Sequence, residues 1–171
     1  MTASKEKTLH DLFVDELADA YDGEKQLIKA LQAMSTAAQD PKLKTAFKDH
    51  LTETKDQVTI LEEVFGLLDL KPKGKHCEGI AGIIEEGKGA IEDFPASAVR
   101  DAALVAGGRR AEHYEIAAYH SMIAMGEALG YTDACKKLGK ILTQEEKADA
   151  GLTKLGVTIN DGALEEAPVE V

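Results

Sequence analysis

The segment Arg109–His120, RRAEHYEIAAYH, carries two glutamates, Glu112 and Glu115, three residues apart. Positions three and four apart share one face of a helix. That face also carries Leu104, Gly108, Tyr119, Met122 and Leu129, and the stripe 104, 108, 112, 115, 119, 122, 126, 129 keeps the rhythm of a core-facing helix. Two carboxylates therefore stand in line with residues bound for a core. A buried carboxylate without a partner is costly, or it takes up a proton and goes neutral. The rest of the chain must supply protons, cationic partners or a metal.

With 171 residues and 44% hydrophobic content, the chain can bury one substantial core. Aromatic content is only 5%, and Ala, Leu, Glu and Lys are abundant, which favours helix over sheet. A net charge of −11 repels nucleic acid and anionic lipid, so neither is an expected partner. No run approaches the roughly 20 apolar residues of a membrane helix. Cys77 and Cys135 have no CxxC or zinc-type spacing. Free thiols and a cytoplasmic location are expected.

The first helix is predicted from about Thr8 to Ala38, with Glu24 in an apolar line that includes Leu17, Ile28, Leu31 and Met34. Asp40-Pro41 reads as an N-cap followed by proline at the first helical position, opening a second helix to about Leu68. One edge of that helix holds His50, Glu53 and Gln57. Taken alone, His50 reads as a satisfied structural histidine, and Glu24 as a stripe-edge residue paired with Lys25 or Lys29. Residues 69–98 form a crossover with a shorter helix over about Cys77–Glu92. The third long helix covers about Ala98–Leu129 and stops at Gly130. Thr132 caps the fourth, over about Asp133–Val157, whose core line contains Glu145 and Asp149. Residues 1–159 form the expected domain and residues 160–171 a flexible acidic tail.

The two halves correspond. Met34 and Met125 stand ten positions after Glu24 and Glu115, and the intervals Glu24–Glu53 and Glu115–Glu145 are 29 and 30 residues. At about 1.5 Å per residue, these carboxylates lie at matching heights on two helical hairpins. Glutamates on facing helices with nearby histidine are how a helical bundle builds a carboxylate-bridged two-metal site, and two cations would offset the repulsion among the carboxylates. The candidate ligands are Glu24, His50, Glu53, Glu112, Glu115, Glu145 and Asp149.

The pieces DELADAYDGEKQL, HLTETKDQ, RDAAL, AEHYEIAAYH and EEKAD, spread over about residues 9–155, resemble the YciE/YciF-like family of bacterial ferritin-like stress proteins. The resemblance implies an all-α fold, a ferritin-like four-helix bundle of two antiparallel hairpins, with an iron-type dimetal centre and a homodimer. It implies no established reaction. The chain departs from the wider superfamily, in which the second and fourth helices each carry Glu-x-x-His. Here Asp56 follows Glu53 and Ala148 follows Glu145 at that spacing. His50 or Gln57, and Asp149, are the candidates to complete the set, and His113 is expected to be supporting or structural. An oxygen-rich set suits iron, with manganese or zinc as alternatives. Two functions follow: a di-iron oxidase or peroxidase acting on oxygen or peroxide, and a non-catalytic metal-binding or structural stress protein. A second stripe on the third helix, Ala102, Ala106, His113, Ala117 and Ile123, offers a surface for a dimer.

Overall fold

The structure is a computed structural model that describes residues 6–166. Among these residues there are five helices and no strand: α1 (Leu9–Ala37), α2 (Pro41–Leu67), α3 (Glu78–Asp93), α4 (Ala98–Leu129) and α5 (Thr132–Glu166). Local chemistry sets most boundaries. The Thr8 hydroxyl accepts the Asp11 N–H while the Asp11 carboxylate accepts the Thr8 N–H, a reciprocal cap at the start of α1. The Asp40 carboxylate accepts the N–H groups of Lys42 and Leu43 ahead of Pro41. Ser97 caps α4, and Gly130 ends it at φ 76°, a left-handed conformation in which a side chain would be strained.

One boundary departs from expectation. α5 continues to Glu166 and takes in residues 160–166 of the segment expected to be a flexible tail. Ile159 is buried with Leu104 and Val105, which anchors this last stretch, and Ala163, Leu164 and Glu165 are good helix formers that carry it on. Residues 167–171 of that segment lie outside the described residues.

Three-residue and two-residue connections fold α1 on α2 and α4 on α5 as antiparallel hairpins, α1 packs on α4 and α2 on α5. α3 lies across α1 and α4. It sits close because Gly79 meets the Tyr114 ring, where a Cβ would collide. All four long helices contribute to each of two apolar clusters. One gathers Phe13, Leu17, Phe65, Met122, Leu138 and Ile141 near the α4–α5 turn. The other gathers Leu31, Leu43, Phe47, Leu104, Leu152 and Ile159 near the α1–α2 turn. Burying each such side chain stabilises the fold by roughly 1.5–3 kcal/mol relative to leaving it in water.

Both ends are also fastened by polar groups. The Asp101 carboxylate, 1% exposed, accepts the N–H groups of Gln39 (2.8 Å) and Asp40 (2.6 Å), tying the α1–α2 turn to α4. At the other end His10 Nδ1 lies 2.8 Å from the Tyr131 hydroxyl. No described helix is long and apolar enough to cross a membrane.

Candidate metal centre

Between the two apolar clusters the stripes of all four long helices turn polar. Glu24 comes from α1, His50, Thr54 and Gln57 from α2, Glu112 and Glu115 from α4 and Glu145 from α5, and all seven are buried. The helical rhythm that fills the clusters also turns these side chains inward.

His50, Glu112, Glu115 and Glu145 each offer one ligand atom within 4.8 Å of the others. His50 Nε2 lies 3.3 Å from Glu112 and 3.4 Å from Glu145. Glu24 adjoins this group on the α1 side, where one of its oxygens accepts a short hydrogen bond from the Tyr119 hydroxyl. Gln57 donates through Nε2 to Glu145, and the same nitrogen reaches Gln144 Oε1 at 3.2 Å. Tyr119 and Gln57 thus each hold one carboxylate in place.

The site is short of cations and donors. Glu24 Oε2, His50 Nδ1, Gln57 Oε1, Glu112 Oε2, Glu115 Oε2 and Glu145 Oε2 are buried without a hydrogen-bond partner among the described residues. Buried polar groups are almost always paired, so six orphans in one layer mark a place built for something else. Burial, reinforced by the neighbouring carboxylates, pushes Glu24 and Glu115 well above the ordinary range. Burial likewise raises Glu112 to about 7 and Glu145 to about 9. It also raises Tyr119 well above its ordinary value, so that hydroxyl stays protonated and remains a donor to Glu24. Four carboxylates against one imidazole suit a cation that would replace the missing protons, and the oxygen-rich donor set fits a hard metal ion.

The structure sorts the expected ligands. Glu24, His50, Glu112, Glu115 and Glu145 converge. His50 turns Nε2 to two carboxylates, and its Nδ1 has no hydrogen-bond partner among the described residues. Glu53 sits at the edge: its side chain is 30% exposed, 3.6 Å from His50 Nδ1 and 3.5 Å from Lys147. Asp149 does not join the group. Arg109 Nε donates to it at 2.8 Å and His113 Nε2 lies at 3.3 Å. Burial works against the Asp149 charge, but the Arg109 hydrogen bond and charge hold its carboxyl below the usual range. Two core tyrosines point to different partners. Tyr119 meets Glu24, whereas Tyr21 donates to Glu62 at 2.8 Å, away from the centre. Gln57 holds Glu145 rather than standing in for a ligand, a role that its place beside Glu53 on the stripe hints at but does not define.

The family described as DUF892, a domain of unknown function, matches residues 8–164. Protein YciF of Escherichia coli (strain K12) is 40% identical over 152 residues, spanning 88% of this chain and 92% of that protein. The crystal structure of the E. coli stress protein YciF superposes with a TM-score of 0.87 at 39% identity, over 91% of this chain and 99% of that one. YcfI from Rhodopseudomonas palustris, described as a candidate structural protein, follows with a TM-score of 0.86 and 36% identity, over 90% of this chain and 98% of that one.

Proposed function

From its place in the YciF-like DUF892 family, to which this chain belongs, we propose that it is a ferritin-like four-helix bundle holding two metal ions, iron foremost, in a stress-related role. The observation that carries this reading is the layer of six buried, unpartnered polar atoms on four glutamate, histidine and glutamine-bearing helices. His50, Glu112, Glu115 and Glu145 would hold the first ion. Glu24, and Glu53 turned inward from Lys147, would complete a second. A bound iron pair would supply electrons for reducing oxygen or peroxide. The chain's own groups orient and exclude: Tyr119 and Gln57 fix Glu24 and Glu145, and the apolar clusters keep bulk water from both sides. Cys77 and Cys135 are free thiols, which suits a cytoplasmic setting. Ala106, His113 and Ala117 are exposed on α4 and are the face proposed for a homodimer.

The test is elemental analysis of protein purified without added metal, alongside Glu115→Gln. Two ions per chain are expected in the native protein and fewer than half that in the variant. Gln is neutral without taking up a proton, so the apo variant should be more stable than the parent by about 1 kcal/mol. Unchanged occupancy would sink the reading. A second reading, a non-catalytic metal-binding or structural protein, draws support from the one group of four converging ligands among the described residues and from the structural role suggested for the R. palustris relative. One ion per chain, with loaded Fe(II) inert to peroxide and oxygen, would favour it.

A further inference from the structure

A cavity of about 540 Å³ opens between α1, α3 and α4, within the roughly 300–1,000 Å³ range of small-molecule sites. Its walls are Leu27, Leu31 and Met34 from α1, Ile83, Ile84 and Ile91 from α3, and Leu104, Gly107 and Ala111 from α4. Protein interiors are close-packed, so an apolar space of this size reflects side chains left out. Gly87 and Gly107 leave part of it open: a Cβ on either would meet nothing within 4 Å, although Gly107 is buried. Both glycines line the cavity.

The two ends of the cavity differ in charge. The exposed Lys25, Lys29 and Lys88 line its outer part, and the buried His50 and Glu112 its inner part. Asp22, the other acid on the wall, is occupied by Gln26 at 2.7 Å and the Cys77 N–H at 3.0 Å. Lys25 rests over the Tyr21 ring, 4.9 Å from its centroid, and Lys88 pairs with the exposed Glu85 at 3.1 Å. Lys29 has no ion-pair partner among the described residues. A chain of net charge −11 therefore presents two lysines, one from α1 and one from α3, over an apolar slot. A hydrocarbon chain with a single anionic head complements both features. The head belongs at the lysines, because Glu112 at the inner end would repel it.

We propose that this cavity binds a fatty-acyl carboxylate, its head between Lys29 and Lys88 and its chain along Leu31, Met34, Ile84 and Leu104. The binding site goes beyond the metal reading and does not depend on it, although the two share a wall at His50 and Glu112.

Calorimetric titration with dodecanoate, below its micelle concentration, tests the proposal on protein as purified and again after chelation. Saturable binding of one dodecanoate per chain is expected in both. Gly107→Leu fills the slot and Lys29→Glu reverses the head contact, and each should weaken binding at least tenfold while thermal unfolding stays cooperative. If Gly107→Leu does not fold, Gly87→Leu fills the same slot from α3. Equal binding of dodecanol or dodecyltrimethylammonium would overturn the anionic site. Absence of saturable binding, or unchanged affinity in both variants, would overturn the cavity assignment. So would a Gly107→Leu variant that changes sedimentation but not dodecanoate affinity, which would make the occupant a second copy of the chain. Metal content in the same samples reports separately, so failure of either idea leaves the other standing.

Discussion

The cluster around Phe13 and Phe65 and the carboxylate layer beside it are built on the same four helices, one or two turns apart, with opposite energetics. In the cluster every buried side chain is apolar or a tyrosine whose hydroxyl donates to a carboxylate, Tyr21 to Glu62 near the surface and Tyr119 to Glu24 of the layer. Folding there removes hydrocarbon from water and leaves little unpaired. In the layer, folding strips water from four carboxylates and leaves six polar atoms without partners. The clusters hold the helices close enough to make the layer, and the layer opposes them until charge is supplied. Local conflict of this kind, embedded in an otherwise consistent sequence, is where function is expected.

The comparison breaks most visibly at Phe13, which is fully buried. Phe13→Ala should cost about 3–5 kcal/mol in urea unfolding, yet metal per folded chain should not change. If occupancy falls as steeply as stability, the two regions are not separable.

A smaller effect concerns pH. An unfolded glutamate loses its proton near the ordinary value of 4.5, whereas folded Glu112 and Glu145 keep theirs to about 7 and about 9. Between those limits the folded apo protein binds more protons than the unfolded chain, so its stability falls as pH rises. The loss starts near 4.5 and levels off above about 7 for Glu112 and about 9 for Glu145. Metal-loaded protein should lack this fall, since the ion takes the place of those protons. Unfolding with and without chelator across this range checks both slopes, and parallel slopes would mean that the layer holds no metal.

Asp149→Asn should have the smallest effect. Its bond to Arg109 is partly exposed, so the variant should lose only about 0.5 kcal/mol and keep its metal. Loss of metal on elemental analysis would put Asp149 back among the ligands.

These contrasts also explain what could be read from the chain alone. Glu24, Glu115 and Glu145 were legible because each interrupts an apolar stripe, and stripe position decides burial. The Asp40-Pro41 and Gly130 boundaries were legible because backbone chemistry is local. The pairing of Asp149 was not legible because helical spacing gives a residue's own face but not what lies opposite, and Arg109 reaches it from forty positions away in the chain. The end of α5 was missed because its last turns have no apolar stripe of their own and depend on the anchor at Ile159. The cavity left no trace in any pattern of large residues. Gly87 and Gly107 border it, and an absent side chain has no periodicity to detect.

The Asp101 carboxylate holds two amide groups of the α1–α2 turn against α4, while His10 and Tyr131 meet at the opposite end. Mechanically the hairpins are beams clamped at both ends. Such beams bow, with the largest displacement at mid-span and almost none at the clamps. Mid-span is where the carboxylates repel one another, so their mutual force acts where the frame yields most. An ion drawing them together would act at that point without moving either end.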